Sequence, residues 1–83
     1  MRRSDRIALI SKTLSENPNK VISLNRFSER LGAAKSSISE DLAIIKNALM
    51  VSGEGEIVTI PGAAGGVRYR TQRSMRDINV FLQ

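Results

Sequence analysis

Five polar residues between positions 35 and 40 are candidates for a binding function. Lys35, Ser36, Ser37, Ser39 and Glu40 supply a cation, three hydroxyls and a carboxylate. At the start of a helix, a cation and hydroxyls favour phosphate binding, because the first N–H groups are free and the dipole is positive there. A glutamate can also accept a hydrogen bond from cytosine N4. The alternative is that the serines only cap a helix and that the carboxylate is only solvated.

The absence of two residue types excludes most catalysis. These 83 residues contain no His and no Cys, so a Cys/His zinc site, a thiol nucleophile and a histidine base are excluded. The neighbouring carboxylates, Glu40 with Asp41 and Glu54 near Glu56, have no base or metal ligand beside them, and we expect neither an enzyme nor a metal site. The lack of cysteine favours the reducing cytoplasm. No apolar run exceeds four residues, whereas a membrane span needs about 18, and no membrane role is expected.

The net charge of +5 is concentrated at the two ends of the sequence. Residues 1–30 carry seven basic and three acidic side chains, residues 31–56 two and four, and residues 57–83 four and one. Clustered Lys and Arg gain affinity by displacing counterions from phosphate, so the pattern favours a polyanionic partner. Arg2, Arg3 and Arg6 form a basic arm that we expect to reach backbone phosphate.

Apolar periodicity predicts three helices and one brief strand before residue 51. The first helix runs from about Asp5 to Ser15 with Ser4 as its cap, and a short strand follows near 21–24. The second helix begins at Leu24 or Asn25 and ends at Leu31, where Gly32 is a left-handed cap.

The third helix is predicted from about Lys35 to Met50, with its cap supplied by Ser36 or by Ser37 together with Glu40. Its apolar stripe comprises Ile38, Leu42, Ile45 and Leu49. Ser36, Asn47 and Glu40 fall about 160–200° around the helix from Ile38, which makes the opposite face short and polar. Ile44 falls outside the stripe and either packs on the first helix or marks a dimer surface.

Alternation with period two predicts a β-hairpin, with strands near 57–60 and 67–70 around a glycine-rich tip. Val67 and Tyr69 should face the core, while Arg68 and Arg70 point outward and contact phosphate or a groove. Gly62, Gly65 and Gly66 at the tip would let the backbone approach a phosphate or the minor-groove floor. The alternative is that these glycines only satisfy positive φ angles. We expect Ser36, Ser39 and Arg68 to share one surface turned toward the polyanion.

Helix, strand, helix, tight turn, helix and hairpin is the order of a winged helix-turn-helix, an α+β fold that is mainly helical. We predict that residues 1–70 form a DNA-binding domain whose third helix enters the major groove of double-stranded DNA. Residues 71–83 are expected to be a connector and the start of a helix leading to a further domain. The alternative is a winged helix used for protein contact or dimerisation without DNA.

Three segments resemble the N-terminal segment of the purine operon repressors of Gram-positive bacteria: Phe27–Arg30, Ala34–Leu42 followed by Ile44–Lys46, and Pro61–Val67 with Tyr69. Residues 31–42 also resemble the turn and recognition helix of many bacterial winged-helix regulators, except that Ala34 stands where a Ser or Thr cap is common. The resemblance implies a homodimeric repressor of purine biosynthesis genes that binds an operator. It also implies a separate phosphoribosyltransferase-like domain that senses phosphoribosyl pyrophosphate. The acidic loop of that domain has no counterpart here, so no cofactor is expected in this chain.

Overall fold

The computed structural model describes residues 1–62 and 65–71. Its elements are α1 (Arg3–Glu16), β1 (Val21–Ile22), α2 (Leu24–Leu31), α3 (Lys35–Ser52), β2 (Gly55–Ile60) and β3 (Gly66–Thr71). The predicted order of three helices, a brief strand and a hairpin is confirmed. Within the described ranges, no helix combines the length and the apolar character that crossing a membrane requires.

The three strands form one antiparallel sheet in the order β1-β3-β2. In this sheet Val67 pairs with both Ile22 and Thr59, and Ile57 pairs with Tyr69. Because side chains alternate along a strand, these residues share the inner face of the sheet. β1 thus pairs with the part of β3 that lies nearest the tip of the hairpin.

The core lies between the inner face of the sheet and the three helices. Its fully or nearly fully buried members are Ile10, Leu14, Ile22, Phe27, Ile38, Leu42, Ile45, Ile57 and Val67. Leu49 and Tyr69 are partly buried against them, which confirms the predicted stripe of α3 and the inward direction of β3. Ile44 lies outside the stripe, as predicted, and is 44% exposed.

The predicted serine caps of α1 and α3 are wrong. Ser4 lies inside α1, whose N-cap is Arg2, and α3 begins directly after Ala34, so neither helix has a side-chain cap. In the turn before α3, Ser28 Oγ donates to the carbonyl of Ala33 at 2.5 Å. Gly32 ends α2 in the left-handed conformation with φ 62°, as predicted.

The end of the hairpin also differs from the prediction. Thr71, expected in a connector, belongs to β3 and pairs with Gly55, because the ladder continues one residue beyond the alternating apolar pattern. The rest of the predicted connector and the predicted helix start at residues 72–83 lie outside the described residues.

Candidate nucleic-acid interface

Helix α3 presents a polar ridge away from the core. Ser36, Glu40 and Asn47 are all exposed, at about 160–200° around the helix from the fully buried Ile38. We call these three residues the outer ridge. Their side chains are short or of medium length, and each carries a hydrogen-bonding group that suits a base edge.

One flank of α3 faces the hairpin across an open groove of about 600 Å³, which we call the wing groove. Lys35, Ser39 and Lys46 line it from α3, Ser23 and Asn25 from the start of α2, and Thr59, Pro61, Gly62, Gly65 and Gly66 from the hairpin. The lining residues include two lysines and, within the described part of the chain, no carboxylate. The wing groove therefore favours an anion.

The spacing of the two lysines indicates an extended anion. Lys35 and Lys46 are eleven positions apart, which puts their backbone positions about 16 Å apart along the helix axis and on the same side of it. A small anion cannot contact both, whereas a polymer with regularly spaced phosphates can. Lys46 is not among the site residues predicted above, although its spacing from Lys35 places both residues on one side of the helix.

The other flank of α3 is joined to α1 by ion pairs. Asp41 is fully buried, at 0% exposure. Arg6 donates from Nε to Asp41 Oδ2 at 2.7 Å and from Nη2 to Asp41 Oδ1 at 3.4 Å. The hydrogen bond to Asp41 raises the pKa of Arg6, with desolvation acting in the opposite direction and the negative charges of Asp41 and Glu40 adding to the rise.

Arg3 extends this cluster to the surface. Its Nε lies 3.3 Å from Asp41 Oδ1, and its Nη2 donates to Glu40 Oε2 at 2.9 Å. Arg3 and Glu40 are both largely exposed, with 52% and 66% of their side chains accessible. The first turn of α1 is thus held beside the outer ridge.

This cluster differs from the prediction, in which Arg6 belongs to a phosphate-binding arm. In the structure Arg6 forms an ion pair with Asp41, and only 15% of the Arg6 side chain is exposed. Asp41 falls about 60° from Ile38 around the helix, at the margin of the apolar stripe. A buried carboxylate needs a cation beside it. The position of Asp41 at the margin of the apolar stripe was therefore the feature of the sequence that could have predicted a buried ion pair.

The structure does not bring Arg68 and Arg70 to the wing groove. Both lie on the outer face of the sheet, opposite Val67 and Tyr69, so the expectation that Arg68 shares a surface with Ser36 and Ser39 is wrong. The reason is that Val67 and Tyr69, on the opposite face of β3, pack against the core. Arg70 Nη1 lies 3.1 Å from Glu56 Oε1, and Arg68 Nε is buried with no hydrogen-bond partner among the described residues. Their predicted DNA contacts stay predictions.

Of the three tip glycines, two lie where the sequence places them. Gly62 is exposed with φ 102°, and the N–H of Gly65 donates to its carbonyl at 3.1 Å. The assignment of Gly66 to the tip is wrong, because it is the buried first residue of β3 and pairs with Ile60. A Cβ on Gly66 would collide with the carbonyl of Ile22, so close packing on β1 explains this glycine.

The remaining predicted site residues flank the outer ridge. Arg2 is exposed just before α1, and Ser37 is half-buried on the side of α3 that faces α1. In the described ranges, no three His, Cys, Asp or Glu side chains are grouped so that they could hold a metal ion.

Three helices, a left-handed glycine turn between the second and third, and a hairpin docked beside the third define a winged helix-turn-helix domain. Residues 2–71 match a family model described as the N-terminal region of the bacterial purine repressor. The chain belongs to this family, which confirms the resemblance noted in the sequence.

Curated relatives carry related names. The purine biosynthesis transcriptional repressor PurR of Bacillus subtilis is 45% identical over 82 residues, covering 99% of this chain and 29% of the relative. A probable purine biosynthesis transcriptional regulator PurR of Streptococcus pneumoniae is 49% identical over 83 residues, covering 100% and 30%. The purine biosynthesis transcriptional activator PurR of Lactococcus lactis is 42% identical over 69 residues, covering 83% and 26%. The chain spans less than a third of the length of these relatives.

Proposed function

We propose that this chain binds double-stranded DNA sequence-specifically, as the DNA-binding domain of a transcriptional repressor of purine biosynthesis genes. One observation carries the proposal: the outer ridge of α3 lies between two cationic flanks. Lys35 and Lys46 lie on one side in the wing groove. On the other side, at the start of α1, lie Arg2, which has no ion pair among the described residues, and Arg3, which is paired with Glu40 and Asp41.

This arrangement matches the major groove, which is about 12 Å wide, admits an α-helix and is bordered by two phosphate backbones. With the outer ridge toward the base edges, the wing groove receives one backbone and the first turn of α1 approaches the other. Phosphate contacts then fix the position of α3, and Ser36, Glu40 and Asn47 supply the base contacts. Ser39 and Ser37 lie at the borders of the ridge, where each can reach a phosphate or a base.

The names of the relatives support the regulatory part of the proposal. One relative is named as a repressor and another as an activator of purine biosynthesis transcription. Both relatives are similar to our chain in this domain. Repression and activation both require recognition of the promoter, so we attribute promoter recognition to this domain. Repression is proposed because the family description names it.

Three further features are proposals of the same kind. A homodimer on a two-fold operator is supported by the common use of paired half-sites in helix-turn-helix proteins. A cytoplasmic location is supported by the DNA partner. Phosphoribosyl pyrophosphate as an effector, bound by a domain outside these residues, rests on the resemblance alone.

Selection of duplexes from a random pool, followed by affinity measurements, tests DNA recognition. The 83-residue chain is expected to enrich one motif and to bind it more tightly than a shuffled duplex of the same composition. Fluorescence anisotropy at salt concentrations from 50 to 200 mM should give a log–log slope of about −0.9 per phosphate contact. Failure to enrich any motif, or equal binding of the enriched and the shuffled duplex, would rule out sequence-specific recognition.

A protein-contact role is the second candidate, and exposed apolar residues on α3 favour it. Ile44, Met50 and Val51 are 44%, 72% and 88% exposed, and Ile44 and Val51 are seven positions apart, on one side of the helix. Sedimentation of the chain and of its Ile44→Lys variant tests this candidate. Self-association that Ile44→Lys abolishes, in a chain that selects no duplex, would favour protein contact over DNA binding.

A further inference from the structure

We propose that Arg3 is a positioning residue that holds Glu40 so that one carboxylate oxygen accepts a hydrogen bond from cytosine in the major groove. Arg3 and Glu40 would then set the preference at one base pair jointly. This inference rests on the proposed function and deepens it, because it assigns base recognition to a particular pair of side chains.

The first step is the anchor, the fully buried Asp41. Arg6 holds Asp41 Oδ2 at 2.7 Å, and Arg3 Nε lies 3.3 Å from Asp41 Oδ1. A buried carboxylate with a cation at each oxygen has little freedom to rotate. Because the guanidinium is planar with donors in fixed directions, contact at Nε also orients its terminal nitrogens.

The second step is that the oriented guanidinium of Arg3 in turn orients the exposed carboxylate of Glu40. Arg3 Nη2 donates to Glu40 Oε2 at 2.9 Å, which leaves Oε1 with no recorded partner within the described ranges. An exposed glutamate would otherwise lose much rotamer freedom on meeting a base. Since Arg3 already restricts Glu40 in the free chain, less freedom remains to be lost on binding.

The third step is the identity of the base. An ionised carboxylate only accepts hydrogen bonds, so its partner must be an exocyclic amino group in the major groove. Adenine presents N6 beside the acceptor N7, which would repel the carboxylate. Cytosine presents the N4 amino group without a neighbouring acceptor on its own major-groove edge, and guanine and thymine present acceptors there. The geometry therefore favours cytosine opposite Glu40.

The experiment measures discrimination rather than affinity alone. Dissociation constants are determined for the selected duplex and for duplexes with each base pair replaced in turn, and discrimination is the ratio between them. We expect the unmodified chain to prefer cytosine at one position by about fivefold to tenfold, the lower end of the range for a bidentate base contact, because Glu40 accepts a single hydrogen bond. Glu40→Gln should move that preference toward adenine, because glutamine pairs with adenine N6 and N7.

Arg3→Ala should reduce discrimination at that same position, and Arg3→Lys should restore part of it. The double variant of Arg3→Ala and Glu40→Ala should discriminate between base pairs no less than Glu40→Ala alone. Arg3 acts through the Glu40 carboxylate, so its loss has no further effect on discrimination once that carboxylate is gone. Arg2→Ala is the matched control, because it removes a neighbouring cation for which no ion pair is recorded among the described residues. It should weaken binding to every duplex by the same factor and leave every ratio unchanged.

Two results would overturn the proposal. If Arg3→Ala behaves as Arg2→Ala does, Arg3 only contacts phosphate. If Glu40→Gln strengthens binding to all duplexes equally, Glu40 only repels the backbone. Should Arg3→Ala fail to fold by circular dichroism, Arg3→Lys and Glu40→Gln decide the question. Failure of the unmodified chain to prefer any duplex would instead contradict the proposed function, so the two failures are distinguishable.

Discussion

Asp41 and its two arginines form the ion-paired part of the contact between α1 and α3. A buried carboxylate is costly without a partner, because it loses its hydration. Here Arg6 and Arg3 replace the water around Asp41 and tie the first turn of α1 to α3. The same contacts set the distance between the basic start of α1 and the outer ridge, so a core requirement also shapes the proposed DNA surface.

Removal of one arginine should therefore destabilise the fold. Arg6→Ala is expected to lower the free energy of unfolding by about 1.5–3 kcal/mol, the value of a hydrogen bond to a charged group. Arg3 stays beside Asp41 in that variant, which limits the loss. Urea denaturation of the 83-residue chain followed by circular dichroism measures the change.

Lys12→Ala is the control for Arg6→Ala, since it removes another cation from α1. Among the residues that the structure describes, Lys12 pairs with Glu16 at 3.9 Å in an exposed contact, and its removal should change stability by less than about 0.5 kcal/mol. Equal losses in the two variants would mean that the buried position of Asp41 contributes nothing to the contact.

At the scale of elements, the turn between α2 and α3 decides where the outer ridge points. Gly32 adopts φ 62° and ψ 36°, and a Cβ there would meet nothing within 4 Å. The cost of a side chain is then purely a backbone cost, about 1–2 kcal/mol for alanine in the left-handed region. Asparagine tolerates this region better, so Gly32→Asn should cost less than Gly32→Ala when their urea midpoints are compared. The reverse order would show that the turn is strained by something other than φ.

The elements that the sequence predicted are those with local signals. Apolar spacing and the closing glycine predicted α2 to within a residue, and alternation predicted the hairpin and the inward direction of Val67 and Tyr69. Tertiary pairing decided the rest. Contacts between residues far apart in the chain decide three features that local patterns do not: which side of the hairpin meets α3, the burial of Asp41 beside Arg6, and the packing of Gly66 on β1. The serine caps were wrong because a hydroxyl near a helix start is equally suited to several positions.

At the scale of the whole molecule, three basic surfaces bear on the proposed DNA contact. Two lysines lie in the wing groove, arginines lie at the start of α1, and Arg68 and Arg70 lie on the outer face of the sheet. A duplex that occupies the major-groove position proposed for α3 contacts the first two surfaces. The outer face of the sheet is turned away from the wing groove, and Arg70 is already paired with Glu56.

Salt dependence separates these surfaces. Lys46→Ala should weaken binding to selected and shuffled duplexes alike and reduce the slope of log affinity against log salt by about 0.9, the value of one lost phosphate contact. Lys12→Ala, on the exposed side of α1, should leave the slope unchanged. Arg68→Ala tests which face of the hairpin contacts the DNA backbone. If Arg68→Ala reduces the salt slope and Lys46→Ala does not, the outer face of the sheet, rather than the wing groove, lies against the backbone.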